Sequence, residues 1–190
     1  MPDYQHIPVL LQEVVEYLNP KQGENFVDAT LGGGGYTKAI LEKNQPDGKV
    51  LAIDLDQDAI DNFKLATHDS PARRSLSEGE QLIILHQGNF SQIDTIVERH
   101  KFNNISGIVA DIGLSSYELE HRGMSFKTKE PLDMRFDQKG NTVDAKFILN
   151  NYEEYQLRKI FEDYGEEKFS KQIARRIVAR RAKGIGLSHT

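Results

Sequence analysis

The sequence predicts an α/β protein with a Rossmann-like parallel sheet that carries helices on both faces. Strand-like and helix-like segments alternate along the first 112 residues, and the strand-like segments are almost continuously apolar. Four consecutive glycines follow the first strand-like segment, at the end where open α/β sheets bind ligands. After residue 113 only turn-like and helix-like segments follow, so we expect a second, helical part.

The predicted strands and helices of the first part alternate in chain order. Short apolar runs predict four strands, at 25–29, 49–54, 81–86 and 105–112. Apolar residues at helical spacing predict four helices, at 9–18, 36–43, 57–65 and 90–100. The segment 68–80 mixes Ser, Pro, Gly and charged residues without periodicity, which predicts a surface loop.

The second part begins with turns and continues as helices. We predict a cofactor-binding core at 1–113, a turn-rich connector at 114–141 and a helical part at 142–190. The helices predicted in the last part lie at 142–149, 152–163 and 166–181. Four strands with no return to the sheet make an incomplete α/β domain, which predicts that the chain is truncated from a longer protein.

Composition narrows the class of protein. The chain is 38% hydrophobic and 28% charged, which is ordinary for a globular protein. No apolar run approaches the roughly 18 residues that a membrane span requires. Cysteine is absent and the six histidines are scattered, so we expect neither disulfides nor a bound metal. These features predict a cytoplasmic protein without a membrane segment.

The net charge of −5 hides an asymmetry along the chain. Residues 168–190 contain seven basic residues and no acidic ones, which leaves 17 basic against 29 acidic residues elsewhere, a net of −12. Composition alone favours an ordinary solvated helix face, and contact with RNA phosphates is the alternative. The candidate RNA-binding residues are Arg175, Arg176, Arg180 and Arg181.

The glycine run and the end of the second strand together predict an adenosine-type cofactor. Glycine lacks a Cβ, so a turn at Gly32–Gly35 lets the backbone approach a ligand closely. Asp54 ends the second strand 19 residues after Gly35, near the spacing of about 20 expected for a carboxylate that accepts from ribose hydroxyls. The competing interpretation is a tight turn beside an ordinary surface aspartate.

The details of the glycine run favour S-adenosylmethionine over a dinucleotide. The Gly-x-Gly-x-x-Gly pattern is not met, because Thr37 occupies the third glycine position when Gly32 and Gly34 occupy the first two. Asp28 precedes the run, where a carboxylate would repel the phosphates of a dinucleotide. The same carboxylate could meet the sulfonium or amino group of S-adenosylmethionine.

Two further strand ends contribute candidate site residues. Asn89-Phe90 follows the third strand and offers an aromatic face or a backbone group near adenine. Asp111 follows the fourth strand, and we expect it to bind the adenine amine of the cofactor. It is also a weak catalytic candidate, since an acceptor for an amine N–H would localise the nitrogen lone pair during methyl transfer. The catalytic base is otherwise unknown.

The sequence resembles the bacterial 16S rRNA cytosine-N4 methyltransferases of the MraW type over nearly its whole length. The motifs that carry the resemblance are the strings at 27–35, 52–56, 89–90, 111–116 and 122–126, with Leu-Asp-Met-Arg at 132–135 and Tyr-Gly-Glu-Glu at 164–167. The last two strings are unusual outside this family. The resemblance implies a class I methyltransferase core into which a helical domain is inserted.

The family's activity implies a substrate and a set of contacts. The implied reaction methylates N4 of a decoding-region cytidine, cytosine 1402, of 16S rRNA in the small ribosomal subunit. By position, the residues implied to contact S-adenosylmethionine are Gly34, Gly35, Tyr36, Asp54, Phe90, Asp111 and Glu118. Tyr36 stands where the family commonly has His, and Glu118 replaces Gln with a side chain that only accepts hydrogen bonds when ionised.

Several alternatives stay open at this level. Arg122, Asp133 and Arg135 either line the substrate cleft or tie their loop together through ion pairs. A methyltransferase acting on DNA or a small amine is disfavoured, because Asp111 is not followed by the Pro-Pro-aromatic string of those enzymes. A non-catalytic ribosome-binding module is the third function considered, and a homodimer is the candidate assembly.

Overall fold

The computed structural model describes residues 8–67, 82–114, 124–125, 127, 129–138 and 140–189. The chain divides into two compact units, Met1–Ser115 and Ser116–Thr190, and each is described by itself below. Within the described residues, no helix is both long enough and apolar enough to cross a membrane.

The first unit is built on a four-stranded parallel sheet. Its strands are β1 (Asn25–Asp28), β2 (Val50–Asp54), β3 (Ile83–Gln87) and β4 (Ile105–Val109). They lie in the order β3-β2-β1-β4, and each neighbouring pair is parallel. This is the first part of the doubly wound strand order, so the predicted Rossmann-like sheet is confirmed.

One helix precedes β1, and others connect each strand to the next. They are α1 (Leu11–Leu18), α2 (Gly35–Asn44), α3 (Gln57–Ala66) and α4 (Ile93–Arg99), with a short 3₁₀ helix at Phe90–Gln92 ahead of α4. The predicted helix at 90–100 is therefore two elements. The side chain of Asn89 accepts from the Ser91 amide at 2.9 Å and starts the 3₁₀ turn.

Alternating side chains give the sheet two apolar faces. One face carries Phe26, Val50 and Ala52, which pack with apolar residues of α1, α2 and α3. The other face carries Val27, Leu51 and Ile53, which pack with residues of α4 and with Phe102. Helices thus cover both faces, as the near-continuous apolar strands predicted.

Two predicted strand boundaries were wrong by more than one residue. The fourth strand ends at Val109 rather than at residue 112, and the third begins at Ile83 rather than at residue 81. Val109 pairs with Asp28, the last residue of β1, and the Ala29 amide donates to the Val109 carbonyl just beyond that pair. The Asp111 amide instead donates to the Thr30 hydroxyl at 2.7 Å.

The described residues of the second unit form the helices α5 (Ala145–Asn151), α6 (Glu154–Asp163) and α7 (Ser170–Ala182). Leu157 of α6 and Ala174 of α7 are fully buried, which places the main helix contact of this unit between α6 and α7. The last helix was predicted to start at residue 166. It starts later because Glu166 has a φ of 47° and the Glu167 amide donates back to the Phe161 carbonyl, closing α6.

The connector is tied together by Asp133 and Arg135. The guanidinium donates twice to the carboxylate, at 2.6 and 2.7 Å, and also to the carbonyls of Gln138 and Asn141. The hydrogen bond to Asp133 raises the pKa of Arg135 above its ordinary value. Asp133 and Arg135 thus form the ion pair that was one of the two roles considered for them, the other being to line the substrate cleft. Arg122 lies outside the described residues.

One of the four arginines predicted to bind RNA, Arg181, is used within the second unit. Its guanidinium donates to the Leu149 carbonyl at 2.9 Å and to the Tyr152 carbonyl, where α5 ends. Carbonyls at a helix C-terminus lack intrahelical donors and carry partial negative charge, so a cation there is stabilising. Arg181 therefore serves the packing of α7 against α5, and we remove it from the RNA-binding candidates.

Candidate functional site

The glycine turn lies where β1 gives way to α2. Gly32 and Gly34 have φ angles of 49° and 74°, in the region that glycine adopts without strain. A Cβ on Gly34 would lie 2.0 Å from Cε2 of Phe63, so α3 packs directly against the turn. The backbone at Gly34 thus has neither the conformation nor the space for a side chain.

Asp54 connects the glycine turn to the ends of β2 and β3. Its Oδ2 accepts from the Gly32 amide at 2.8 Å, and its Oδ1 accepts from the Asp56 amide at 2.9 Å. Its own carbonyl accepts from the Gly88 amide at 2.8 Å. The structure thus holds the predicted ribose-binding carboxylate beside the glycine turn, where the sequence predicts that a ligand binds.

From the sequence, Asp28 could meet the sulfonium or amino group of the cofactor. The structure instead encloses its side chain. Its side chain is fully buried, and its oxygens accept from the Thr30 amide at 3.2 Å and the Thr37 hydroxyl at 2.6 Å. Burial raises the pKa of Asp28 to about 6, against the lowering effect of these hydrogen bonds. A buried carboxylate bound to two groups of the turn shapes the site and cannot meet a bound sulfonium directly.

Thr30 joins the ends of β1 and β4. Its hydroxyl accepts from the Asp111 amide, while the neighbouring Ala29 amide donates to the Val109 carbonyl at 2.8 Å. Asp111 is exposed and is held next to Thr30, which lies two residues before the first glycine of the turn. The structure brings the predicted residues at the ends of β1, β2 and β4 to one edge of the sheet.

The first turn of α2 presents backbone donors. The amides of Gly35 and Tyr36 have no acceptor among the described residues, whereas the Gly34 amide donates to the Leu31 carbonyl at 2.7 Å. The first amides of a helix are unpaired within the helix and attract acceptors. The Tyr36 side chain points elsewhere, with its hydroxyl donating to the Val9 carbonyl.

Phe90 lies in the segment that follows β3. Its side chain is 42% exposed, which leaves ring surface open to a ligand. The hydrogen bond from Gly88 to Asp54 holds the start of this segment next to the predicted ribose-binding carboxylate. Glu118, the remaining predicted cofactor contact, lies outside the described residues.

Sequence reasoning missed the two threonines that shape the turn. Thr30 and Thr37 flank the glycines, and their hydroxyls bind Asp111 and Asp28 respectively. A threonine beside a strand-end carboxylate is a usable signal, because a hydroxyl can satisfy a carboxylate that the fold encloses. The contact of Pro8 and Val9 with α2 had no comparable signal in the sequence.

The raised pKa of Asp28 predicts a pH-dependent stability difference. A buried carboxyl with a raised pKa favours the folded state most when it is protonated. Its contribution to the free energy of unfolding therefore falls as pH rises from 4 to 7. We expect the Asp28→Asn variant to gain stability relative to wild type by about 2 kcal/mol across that range, since one pKa unit corresponds to about 1.4 kcal/mol and the unfolded carboxyl is already partly ionised at pH 4. Urea unfolding at several pH values measures this difference.

The control for this prediction is Asp47→Asn, which replaces an exposed carboxylate in the loop before β2. Its stability difference from wild type should change little between pH 4 and pH 7. A difference between Asp28→Asn and wild type that is constant over the same range would show that Asp28 titrates normally in the folded chain.

Comparison with known proteins identifies the family. The model of the MraW methylase family matches residues 3–187. Ribosomal RNA small subunit methyltransferase H of Clostridium botulinum (strain 657 / Type Ba4) is 42% identical over 183 residues, covering 95% of this chain and 56% of the relative. The relative of the same name from Carboxydothermus hydrogenoformans is 40% identical over 183 residues, covering 95% and 55%.

A solved structure, a putative rRNA methylase from Clostridium thermocellum, shares 20% identity at a TM-score of 0.42, covering 59% of this chain and 58% of that one. The chain spans about half the length of the curated relatives it matches. The resemblance found in the sequence motifs is confirmed by the match over residues 3–187, and this chain belongs to the MraW methylase family.

Proposed function

We propose that this chain binds S-adenosylmethionine at the ends of β1, β2 and β4 and serves in methylation of 16S rRNA. The observation that carries the proposal is the hydrogen bond between Asp54 and the Gly32 amide, which joins a ribose-type acceptor to a glycine turn. The relatives named Ribosomal RNA small subunit methyltransferase H support the choice of substrate. We take the target to be N4 of the decoding-region cytidine.

The residues present fit such a cofactor. Asp54 would accept from the ribose hydroxyls, and the amides of Gly35 and Tyr36 would donate to the carboxylate of the methionine part. Gly34 fixes the shape of the turn, because its φ is positive and a Cβ there would meet the Phe63 ring. Phe90 and Asp111 would contact the adenine.

Bound S-adenosylmethionine supplies a methyl group on a positively charged sulfur. The chain's part is to orient acceptors and to keep the site rigid. Asp111 is exposed and held through its amide by Thr30, so its carboxylate is positioned to accept an N–H from the adenine or from the substrate amine. Of these two roles, we assign the Asp111 carboxylate to the adenine amine, because Asp111 follows β4.

Removing the Asp54 carboxylate is predicted to weaken cofactor binding. The Asp54→Ala variant loses the ribose acceptor and also the acceptor of the Gly32 amide, so we expect at least about tenfold weaker binding of S-adenosylmethionine. Isothermal titration calorimetry measures the dissociation constant. Asp54→Asn keeps one acceptor oxygen, so its dissociation constant should lie between those of wild type and Asp54→Ala.

Asp47→Ala is the matched control for this experiment. Asp47 precedes β2 whereas Asp54 ends it, so the two changes remove a carboxylate at opposite ends of one strand. The control should bind the cofactor as wild type does. Equal affinity of Asp54→Ala and wild type would refute the ribose assignment.

The target nucleotide is tested in cells. We expect that deleting the gene removes N4 methylation from the decoding-region cytidine of 16S rRNA, and that the intact gene restores it. Mass spectrometry of nuclease digests of the purified small subunit measures the modification. Unchanged N4 methylation in the deletion strain would exclude this target and favour another amine substrate or a non-catalytic role on the ribosome.

The exposed side of α7 is the surface we assign to RNA. Arg175, Arg176 and Arg180 are exposed, and none of them forms an ion pair with a described carboxylate. Cations without acidic partners remain available to neutralise phosphates. The proposed partner places the reaction in the cytoplasm, and a homodimer stays a prediction.

Two arginines one turn apart provide the test of this surface. We expect the Arg176→Ala, Arg180→Ala double variant to bind the RNA about tenfold more weakly at 0.1 M salt and to lower the salt slope by about 1.5 to 2. Filter binding at several salt concentrations, with a decoding-region RNA fragment, measures both quantities. The Lys43→Ala, Lys101→Ala variant removes the same charge from the first unit, and an equal loss there would show a net-charge effect alone.

A further inference from the structure

A short segment ahead of α1 lies against the first turn of α2. The phenolic hydroxyl of Tyr36 donates to the Val9 carbonyl. Pro8 lies over Gly35, since a Cβ on Gly35 would come within 2.2 Å of Pro8 Cγ. The Pro8 contact thus places the segment beside the backbone of Gly35, whose amide we assign to the cofactor, and the Tyr36 hydroxyl holds the next residue, Val9.

The Tyr36 side chain is committed to this contact. It is 5% exposed, so the phenol does not reach open solvent. Burial, and after it the charges of Asp111 and Asp28, raise the pKa of Tyr36 above its ordinary value. The hydroxyl therefore keeps its proton at neutral pH and remains a donor to Val9.

The segment needs an external hold, because its own conformation is strained. Leu10 has a φ of 55° although it is not glycine, and its side chain is 61% exposed. Packing of the Leu10 side chain therefore does not offset the cost of the left-handed backbone. No side-chain cap closes the start of α1 either. The contacts of Tyr36 and Pro8 hold this bend from the side of α2, while Leu11 anchors the start of α1 on the core.

We propose that Tyr36 is a positioning residue that holds Pro8-Val9 as a wall beside the glycine turn and slows the release of S-adenosylmethionine. The inference rests on the proposed function of the same site. A ligand on the Gly35 and Tyr36 amides is bordered by the segment that Pro8 begins. Without the hydroxyl, the Val9 carbonyl loses its donor and the wall loosens.

The Tyr36→Phe variant tests this directly, since it removes only the hydroxyl. We expect about threefold to tenfold weaker binding of S-adenosylmethionine, which is the range for one lost buried hydrogen bond. The loss of affinity should come from faster dissociation of the cofactor. Stopped-flow displacement of the bound cofactor measures this rate at a temperature where circular dichroism shows the variant folded. Tyr17→Phe on α1 is the matched control, because Tyr17 is 92% exposed, and it should release the cofactor as wild type does.

A double-variant cycle separates positioning from a general loss of stability. If Tyr36 acts through the segment, Tyr36→Phe should change the release rate much less in a Pro8→Gly background, where the segment is already loosened. Equal effects in both backgrounds would overturn the inference, as would an unchanged release rate in the single variant.

Amide exchange at residues 9 and 10, measured without cofactor, distinguishes this inference from the proposed function. We expect faster exchange there in Tyr36→Phe than in wild type and in Tyr17→Phe. Equal exchange in all three proteins overturns the contact itself. If wild type shows the contact but binds no S-adenosylmethionine, the proposed function fails, and the assigned effect on cofactor release fails with it.

Discussion

The hydrogen bond from the Gly32 amide to the Asp54 carboxylate joins the two strands on which the candidate site depends. A chain that reverses within four glycines has little stiffness of its own, and each glycine costs conformational entropy on folding. Asp54 offsets that cost by anchoring the start of the turn, while its carbonyl holds the segment after β3. The turn, the ribose acceptor and the Phe90 segment therefore have one shared support, and a change at Asp54 acts on all three.

Below the turn, a second carboxylate has a different task. Asp28 is enclosed by the sheet and α2, and its hydrogen bonds to Thr30 and Thr37 offset part of the cost of burying a charge. The raised pKa shows that the cost is not fully offset. Two aspartates at adjacent strand ends thus differ because one is enclosed and the other lies at the edge of the turn.

The second unit divides its basic residues in a similar way. On α7, Arg181 turns inward to the carbonyls that end α5, while Arg175, Arg176 and Arg180 remain on the exposed side. In the connector, Arg135 is used within its own loop through Asp133. Basic residues near each other in sequence therefore carry different roles. Only those without a carbonyl or carboxylate partner among the described residues remain available to a phosphate backbone.

Much of the fold was predictable from the sequence because its signals are local. Sequence patterns predicted the four strands and the α-helices that the structure describes, and the four glycines with Asp54 predicted strand ends that the structure brings to one edge of the sheet. Element boundaries were less certain, as β4 and α7 show, because they depend on a partner strand ending or on a chain reversal after α6. What only the tertiary structure decided is the direction of individual side chains: the burial of Asp28, the inward turn of Arg181 and the contact of Tyr36 with Val9. Each depends on a partner from 9 to 32 residues away, and of these partners only Thr37, which binds Asp28, had a residue-type signal in the sequence.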